Sequence, residues 1–451
     1  MCQIPFVVVL GLGKSGQAVA LYCHSHNIPF VIVDDKAEMA KAWAKDRGFL
    51  CEVLDGQKEL SFFDTLVPKT AWCVTSPGVG LGHPIILKCR SRNIEVISEV
   101  EFALRLVKDV PPKMIAITGT NGKTTVCELL CHIFKSAGKK CEAIGNIGRP
   151  VIDVLGQPRD LWPEWCIIEI SSFQLETTFQ QLFTMGGWLN VAPNHLDWHP
   201  SMDEYRRAKQ RLSQLVVKDG LFVCHHSLPP LEFIPEARVI RYGRMGGDLT
   251  IEGQTILYKG KEVGRLPPSV SKGFPHDVDN YLAAFSLSVE AGIEPALIAE
   301  SYQVFKKPHH RIEFVGEFNG VKYFDDSKGT NIAATAAAVA AVPGPVVLIA
   351  GGVHKGASYA YWKQAFSGKV RAIVAIGQAR HIIASDVGDE IPVQFAQTLQ
   401  EAVAKSTCAI PPPCSVVLSP GCSSFDMFRD YSERGDRFQQ YVKLLARGRS
   451  E

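Results

Sequence analysis

Short apolar runs alternate with helical periodicity along most of the chain. Residues 6–10, 30–33, 114–118, 166–170, 188–191, 321–324, 346–350, 372–376 and 415–418 are largely apolar stretches of strand length. They are separated by glycine-rich or polar turns and helical patterns, the order expected of parallel α/β layers. After residues 114–118, Val126, Leu129, Leu130, Ile133 and Phe134 fall on one helical face, and the pattern stops near Gly138. Between residues 220 and 266 the pattern turns short and turn-rich, predicting small strands that decorate the central region. Residues 333–352 are apolar enough to suggest a membrane span. Pro343-Gly344-Pro345 breaks them, predicting an Ala-rich helix and then a buried strand.

At 451 residues the chain exceeds one ordinary domain. The polar, double-proline stretch 107–113 is its best linker. Lys plus Arg number 48 against 46 Asp plus Glu, so no basic field argues for nucleic acid and an anionic ligand must be held by local geometry. The 13 cysteines form no C-x-x-C pair; Cys127 and Cys131, four apart on a helix, are expected in a core rather than on zinc. Free thiols suit a reducing compartment. The first apolar run lacks a basic leader and continues into Gly-Leu-Gly, reading as a strand and not a signal peptide. A cytoplasmic protein is expected, with no membrane or nucleic-acid partner.

The sharpest motif is Thr118-Gly119-Thr120-Asn121-Gly122-Lys123-Thr124-Thr125, between a strand and an amphipathic helix. Glycines let backbone N–H groups form an anion nest, the helix N-terminus adds partial positive charge, and Lys123 a full one. Thr124 is placed to offer a hydroxyl to Mg2+. Gly11-Leu-Gly-Lys-Ser-Gly16 matches G-x-G-x-x-G, with Asp34 about twenty residues on. A dinucleotide, another nucleotide diphosphate, or glycine packing alone all remain open, the separate phosphate loop favouring the second. Glu169 ends its strand beside the phosphate loop, where Mg2+ is usually held, a helix-start acid being the plainer reading. His195 and Asp197 are candidates for a second metal, His199 reads as incidental, and Lys209 resembles any helical lysine. Three later strand ends carry polar or cationic loops: Asp326-Ser-Lys328-Gly-Thr330, Gly351-Gly-Val-His-Lys355, and Ser419-Pro-Gly-Cys-Ser-Ser424-Phe-Asp-Met-Phe428. Together they describe a crevice for an anionic substrate.

In order along the chain these motifs resemble the Mur ligase family, with Gly145-Asn146-Ile-Gly148, Glu169-Ile-Ser171-Ser-Phe-Gln-Leu-Glu176, Tyr205-Arg-Arg-Ala-Lys209 and Pro308-His-His-Arg311 among them. The likeness runs from about residue 5 to 440. It implies an α/β fold of three domains: 1–110, Rossmann-like, for a UDP-substrate; 111–308, a P-loop-type ATPase domain with a mainly parallel sheet, for ATP and Mg2+; and 309–451, Rossmann-like, for the amino acid. The Ser-Ser-Phe-Gln-Leu-Glu and Asp-Ser-Lys-x-Thr-Asn segments point to the branch that adds D-glutamate to UDP-N-acetylmuramoyl-L-alanine through an acyl phosphate. By resemblance, Lys14, Ser15, Asp34, Asp35, Ser76, Asn146 and Ser171 face the UDP-substrate. Residues 119–125, Asn280, Arg311 and Asp326 serve ATP. Lys123, Glu169, His195 and Lys209 are catalytic, and Thr124, Glu169, His195 and Lys209 hold Mg2+, the lysine as a carbamate. Lys328, Thr330, Lys355, Ser424 and Phe428 surround D-glutamate. A monomer acting on small molecules is expected. Asp277 departs from the family's His-Asn-x-x-Asn motif and leaves the adenine contact in question, and His354 stands where an acid or Gly is more familiar. The alternatives are a sister ligase, against which the chain lacks an Asp-Asn-Pro-Arg loop, and a nicotinamide-dependent oxidoreductase built on the first glycine motif.

Overall fold

The computed structural model describes residues 6–58, 70–107, 110–196, 198–232, 236–271 and 273–447. Asp197 and residues 108 and 109 of the expected linker lie outside them. The chain divides into two compact units, Met1–Asn190 with Arg206–Phe305, and Val191–Tyr205 with Lys306–Glu451.

The first unit holds two sheets. One is built from β1 (Phe6–Leu10), β2 (Phe30–Asp34), β3 (Val53–Asp55), β4 (Thr70–Thr75) and β5 (Glu95–Ser98), in the order β3-β2-β1-β4-β5. All its pairings are parallel. Helices cover parallel strands on both faces, which is why Val7, Val8 and Val9 can be consecutive and fully buried. The strand order reverses between β1 and β4, so a crevice is expected beyond their carboxyl ends.

The second sheet contains β6 (Lys113–Thr118), β7 (Cys141–Gly145), β8 (Trp165–Glu169), β9 (Phe183–Trp188), β10 (Val216–His225), β11 (Arg238–Tyr242), β12 (Leu249–Glu252), β13 (Thr255–Tyr258) and β14 (Lys261–Arg265). Their order is β14-β13-β12-β11-β10-β9-β6-β8-β7. The short strands expected after residue 220 are present, and they continue the central sheet. β10 lies parallel between β9 and β11 with Leu221 to Cys224 fully buried, and β12 to β14 extend the same sheet as an antiparallel edge. The sequence hid this because Lys218-Asp219-Gly220 interrupts the apolar run where the pairing of β10 shifts register. Cys127 and Cys131 pack in the core of this sheet, as expected, on the helix Lys123–Ser136, and Gly138 follows it at φ +73°.

The two sheets of this unit are joined by buried polar groups. Ser98 Oγ lies 2.8 Å from Thr178 Oγ1. Glu101, fully buried, accepts from Phe179 N at 2.8 Å, Gln180 N at 2.9 Å and Arg105 Nε at 2.7 Å. A buried carboxylate is tolerated only when its lone pairs are filled in this way.

The second unit carries β15 (Glu313–Phe318), β16 (Val321–Asp325), β17 (Val346–Gly351), β18 (Val370–Ile376), β19 (Val393–Phe395) and β20 (Cys414–Leu418), in the order β15-β16-β20-β17-β18-β19. Only β15 pairs antiparallel. No helix among the described residues is long and apolar enough to cross a membrane.

Replacing Glu101 by Ala strips two backbone N–H groups and Arg105 of their acceptor. A loss of about 3 kcal/mol is expected, read as a lower urea midpoint.

Candidate active site

The phosphate loop closes over the carboxyl end of β6. Gly122 is the N-cap of the helix Lys123–Ser136 and sits at φ +85°, where a Cβ would lie 2.5 Å from Asn280 Oδ1. Only glycine fits there, and with no side-chain cap the helix N-terminus keeps donors for an anion. Asn190, just beyond β9, braces the loop: its Oδ1 accepts from Thr120 N at 3.1 Å and Asn121 N at 2.9 Å, and its Nδ2 donates to Asn121 O at 3.0 Å.

Thr124 Oγ1 donates to Glu169 Oε2 at 2.8 Å, and Asn146 Nδ2 donates to the other oxygen, Oε1, at 2.8 Å. A hydroxyl beside a buried carboxylate is a hard-oxygen donor set that suits Mg2+. Lys123 Nζ donates to Gly119 O at 2.9 Å and Thr120 O at 3.1 Å. Lys209 Nζ donates to the same Gly119 O at 2.9 Å. Lys209 is 2% exposed, and burial, reinforced by the charge of Lys123, holds its amine well below the usual lysine range. The sequence could not separate this lysine from its neighbours; its burial against the phosphate loop does.

A cavity of about 620 Å³ opens at the crevice between β1 and β4. Lys14, Ser15, Asp34, Asp35, Ser76 and Asn146 line it, together with Met39 and Trp43. Ser171 is not among the lining residues; it caps the helix Ser172–Glu176 in a capping box with Gln174. Asp34 spends its carboxylate on the glycine turn, accepting from Leu12 N at 2.6 Å and Lys36 N at 2.8 Å. Ser76 Oγ donates to Gly11 O at 2.6 Å, and a Cβ on Gly16 would lie 1.9 Å from that same oxygen. These glycines thus pack helix against strand as well as fronting the pocket. Lys14 Nζ reaches Gly148 O across the cavity, and Asp35 faces His83 Nε2 at 3.1 Å. Asp277 accepts from Phe274 N at 3.2 Å at the start of the helix Pro275–Glu290, a helix-start role for the acid that departs from the familiar motif.

In the second unit, Arg311 Nε is buried without a hydrogen-bond partner, and Asp326 accepts from Ser419 Oγ at 2.6 Å. Burial raises the Asp326 carboxyl to about 7. Asn331 caps the helix Ile332–Ala341 by accepting from Ala334 N. Lys355 Nζ donates to Thr330 O at 3.0 Å, and Lys328 Nζ stands 5.0 Å over the ring of Tyr431. Phe428, half-buried, packs against the core of this unit, under Arg437. Tyr431, three residues on, is the aromatic beside Lys328, and the sequence reading did not single it out. His195 lies in this unit, in Val191–Tyr205, at φ +56° with its ring 6.4 Å from that of Tyr205.

Three family profiles match in the order of the sheets: "Mur ligase MurD-like, N-terminal domain" over residues 5–98, "Mur ligase middle domain" over 117–285, and "Mur ligase, glutamate ligase domain" over 310–422. A UDP-N-acetylmuramoylalanine--D-glutamate ligase of Protochlamydia amoebophila is 36% identical over 450 residues, covering 97% of this chain and 98% of that protein. The chain belongs to the Mur ligase family. A protein of the same name from Caldicellulosiruptor bescii is 34% identical over 97% of both chains. The fold is that of the Mur ligases of known structure. UDP-N-acetylmuramate-alanine ligase MurC of Thermotoga maritima superposes with a TM-score of 0.58 at 16% identity, covering 98% of this chain and 99% of that one. MurF of Acinetobacter baumannii gives 0.58 at 18%, covering 76% and 80%. As a Mur ligase the chain is an ATP-dependent acid–amino-acid ligase, and the oxidoreductase alternative falls away.

Lys123→Ala and Glu169→Gln are each expected to lower the rate of ATP-dependent phosphate release by about 100- to 1,000-fold while leaving the urea midpoint nearly unchanged. A stopped or continuous phosphate assay on the purified variants checks this.

Proposed function

We propose that this Mur ligase joins D-glutamate to UDP-N-acetylmuramoyl-L-alanine, converting ATP to ADP and phosphate, as a cytoplasmic step of peptidoglycan precursor synthesis. The observation that carries the reading is identity of 34–36% along nearly the full length of ligases named for that reaction. The choice of the D-enantiomer rests on that likeness alone.

The residues supply the parts such a reaction needs. The cavity at β1 and β4 takes the uridine diphosphate, with Lys14 and Lys36 as the lysines in its lining. The alanyl carboxylate oxygen attacks the γ-phosphorus of ATP; the bond to the ADP oxygen breaks and an acyl phosphate forms. Two anions approach in this step, and unit charges 4 Å apart repel by about 4 kcal/mol at an effective dielectric of 20. Lys123 and the donors of residues 119–122 offset that charge. Mg2+, held by Thr124 and Glu169, would supply further neutralisation as a Lewis acid. The amine nitrogen of glutamate then attacks the acyl carbon, phosphate leaves with the electron pair of the C–O bond, and the nitrogen gives up its proton. Lys328 and Lys355 pair with the carboxylates of the glutamate.

Lys209 enters as a carbamate. Its amine, whose hold on a proton burial weakens, adds to carbon dioxide and loses a proton, which would give the side chain an oxygen ligand for Mg2+. Incubation with 13C-bicarbonate should give a carbamate carbon resonance that is absent in Lys209→Ala; no resonance in the wild type would remove this step.

Phosphate release from ATP, measured with UDP-N-acetylmuramoyl-L-alanine and Mg2+, tests the reaction itself. Release is expected with D-glutamate and not with L-glutamate, lysine or diaminopimelate. Equal release with another amino acid would move the chain to a sister activity.

A further inference from the structure

Arg434 is 1% exposed, on the helix Tyr431–Arg447. Its Nε donates to Ser327 Oγ at 3.0 Å and one terminal nitrogen to Ser327 O at 2.8 Å. Both terminal nitrogens reach Cys422 O at 3.3 Å. Ser327 precedes Lys328, and Cys422 lies two residues before Ser424. Ser327 Oγ passes the connection on, donating to Tyr431 O at 2.7 Å, the residue whose ring lies beneath Lys328.

A buried guanidinium is ordinarily matched by a carboxylate. Here every oxygen that Arg434 bonds is neutral. Asp325, Asp326 and Asp426 face it at longer range, but they accept from other donors: Asp325 from Gln439 and Ser327 N, Asp326 from Ser419, and Asp426 from Gln378 N. By contrast, Arg437 one turn on pairs with Glu433 at the surface. Burial lowers the Arg434 guanidinium to about 10, still charged at neutral pH.

We propose that Arg434 is the positioning residue of the amino-acid site: it fastens the loops carrying Lys328 and Ser424 to one another and lends them positive charge that favours a dicarboxylic amino acid. The placement of the amino acid rests on the reading under Proposed function. The geometry fits the role. The guanidinium fork is rigid and its five donors allow two loops to be held by one side chain, which a lysine cannot do. The charge is desolvated, so an incoming side-chain carboxylate is attracted with little screening by solvent.

The test compares wild type with Arg434→Gln, Arg434→Lys and Ser327→Ala, reading KM for D-glutamate, KM for ATP, kcat and melting temperature. Arg434→Gln should raise KM for D-glutamate by about tenfold or more, the scale of losing hydrogen bonds to a charged group. Ser327→Ala, which leaves the arginine in place, should raise it by about threefold. KM for ATP should stay within about twofold. Inhibition by the dicarboxylate D-glutamate analogue glutarate should weaken in Arg434→Gln and be partly restored in Arg434→Lys. If Arg434→Gln does not fold, Ser327→Ala and Arg434→Lys decide. Unchanged KM for D-glutamate in a folded variant, or losses in every parameter that merely track melting temperature, would overturn the proposal. A wild type that prefers a different amino acid would instead overturn the functional reading, and the same variants assayed with that amino acid would still decide whether Arg434 positions the site.

Discussion

Lys123 and Lys209 donate to the same oxygen, Gly119 O, each at 2.9 Å. Two ammonium groups on one carbonyl repel, and the protein resolves this by burying the second so deeply that its amine does not hold a proton in the usual range. Lys123 stands at the mouth of the phosphate loop, and the buried Lys209 holds its proton less tightly than an ordinary lysine. The rest of the centre follows from keeping that arrangement in place. Asn190 ties the loop backbone to the end of β9, Asn280 leaves room only for a glycine at Gly122, and Glu169 is held from two sides by Thr124 and Asn146.

Asn146 also lines the cavity at β1 and β4. A single amide therefore faces that cavity and holds the carboxylate beside the phosphate loop. The second unit solves a similar problem with different means. Two of its loops leave the ends of parallel strands, and one side chain from a helix, Arg434, bonds both at Ser327 and Cys422.

Much of this was legible from the chain. Continuous apolar runs of strand length announced parallel sheets covered on both faces, and the phosphate loop announced itself by glycines between strand and helix. Of the residues that the resemblance grouped, Lys14, Ser15, Asp34, Asp35, Ser76 and Asn146 line one cavity, and Ser171 does not. What was illegible depended on burial and on neighbours distant in sequence. Nothing local marks Lys209 apart from Arg206 or Arg207; Asn190 matters because it reaches residues 120 and 121, and Tyr431 because Lys328 comes to lie over it. β10 was hidden by Lys218-Asp219-Gly220, polar residues that a shift of pairing accommodates. Asp277 put the adenine contact in question in the sequence, and the hydrogen bond it accepts from Phe274 N at the helix start could not be read there.

Glu101 fixes how such a protein can be reassembled over evolutionary time. Its carboxylate lies in the segment after β5 and is filled by the backbone of residues 179 and 180, just before β9. A chimera that exchanged the first 110 or so residues for those of a distant relative would preserve both sheets and yet leave the backbone N–H groups of residues 179 and 180 without their acceptor, unless the incoming segment supplied one at the same place. The amino-terminal part is thus inherited jointly with a short stretch of the central one, and recombination that respects the linker alone cuts through a single electrostatic unit.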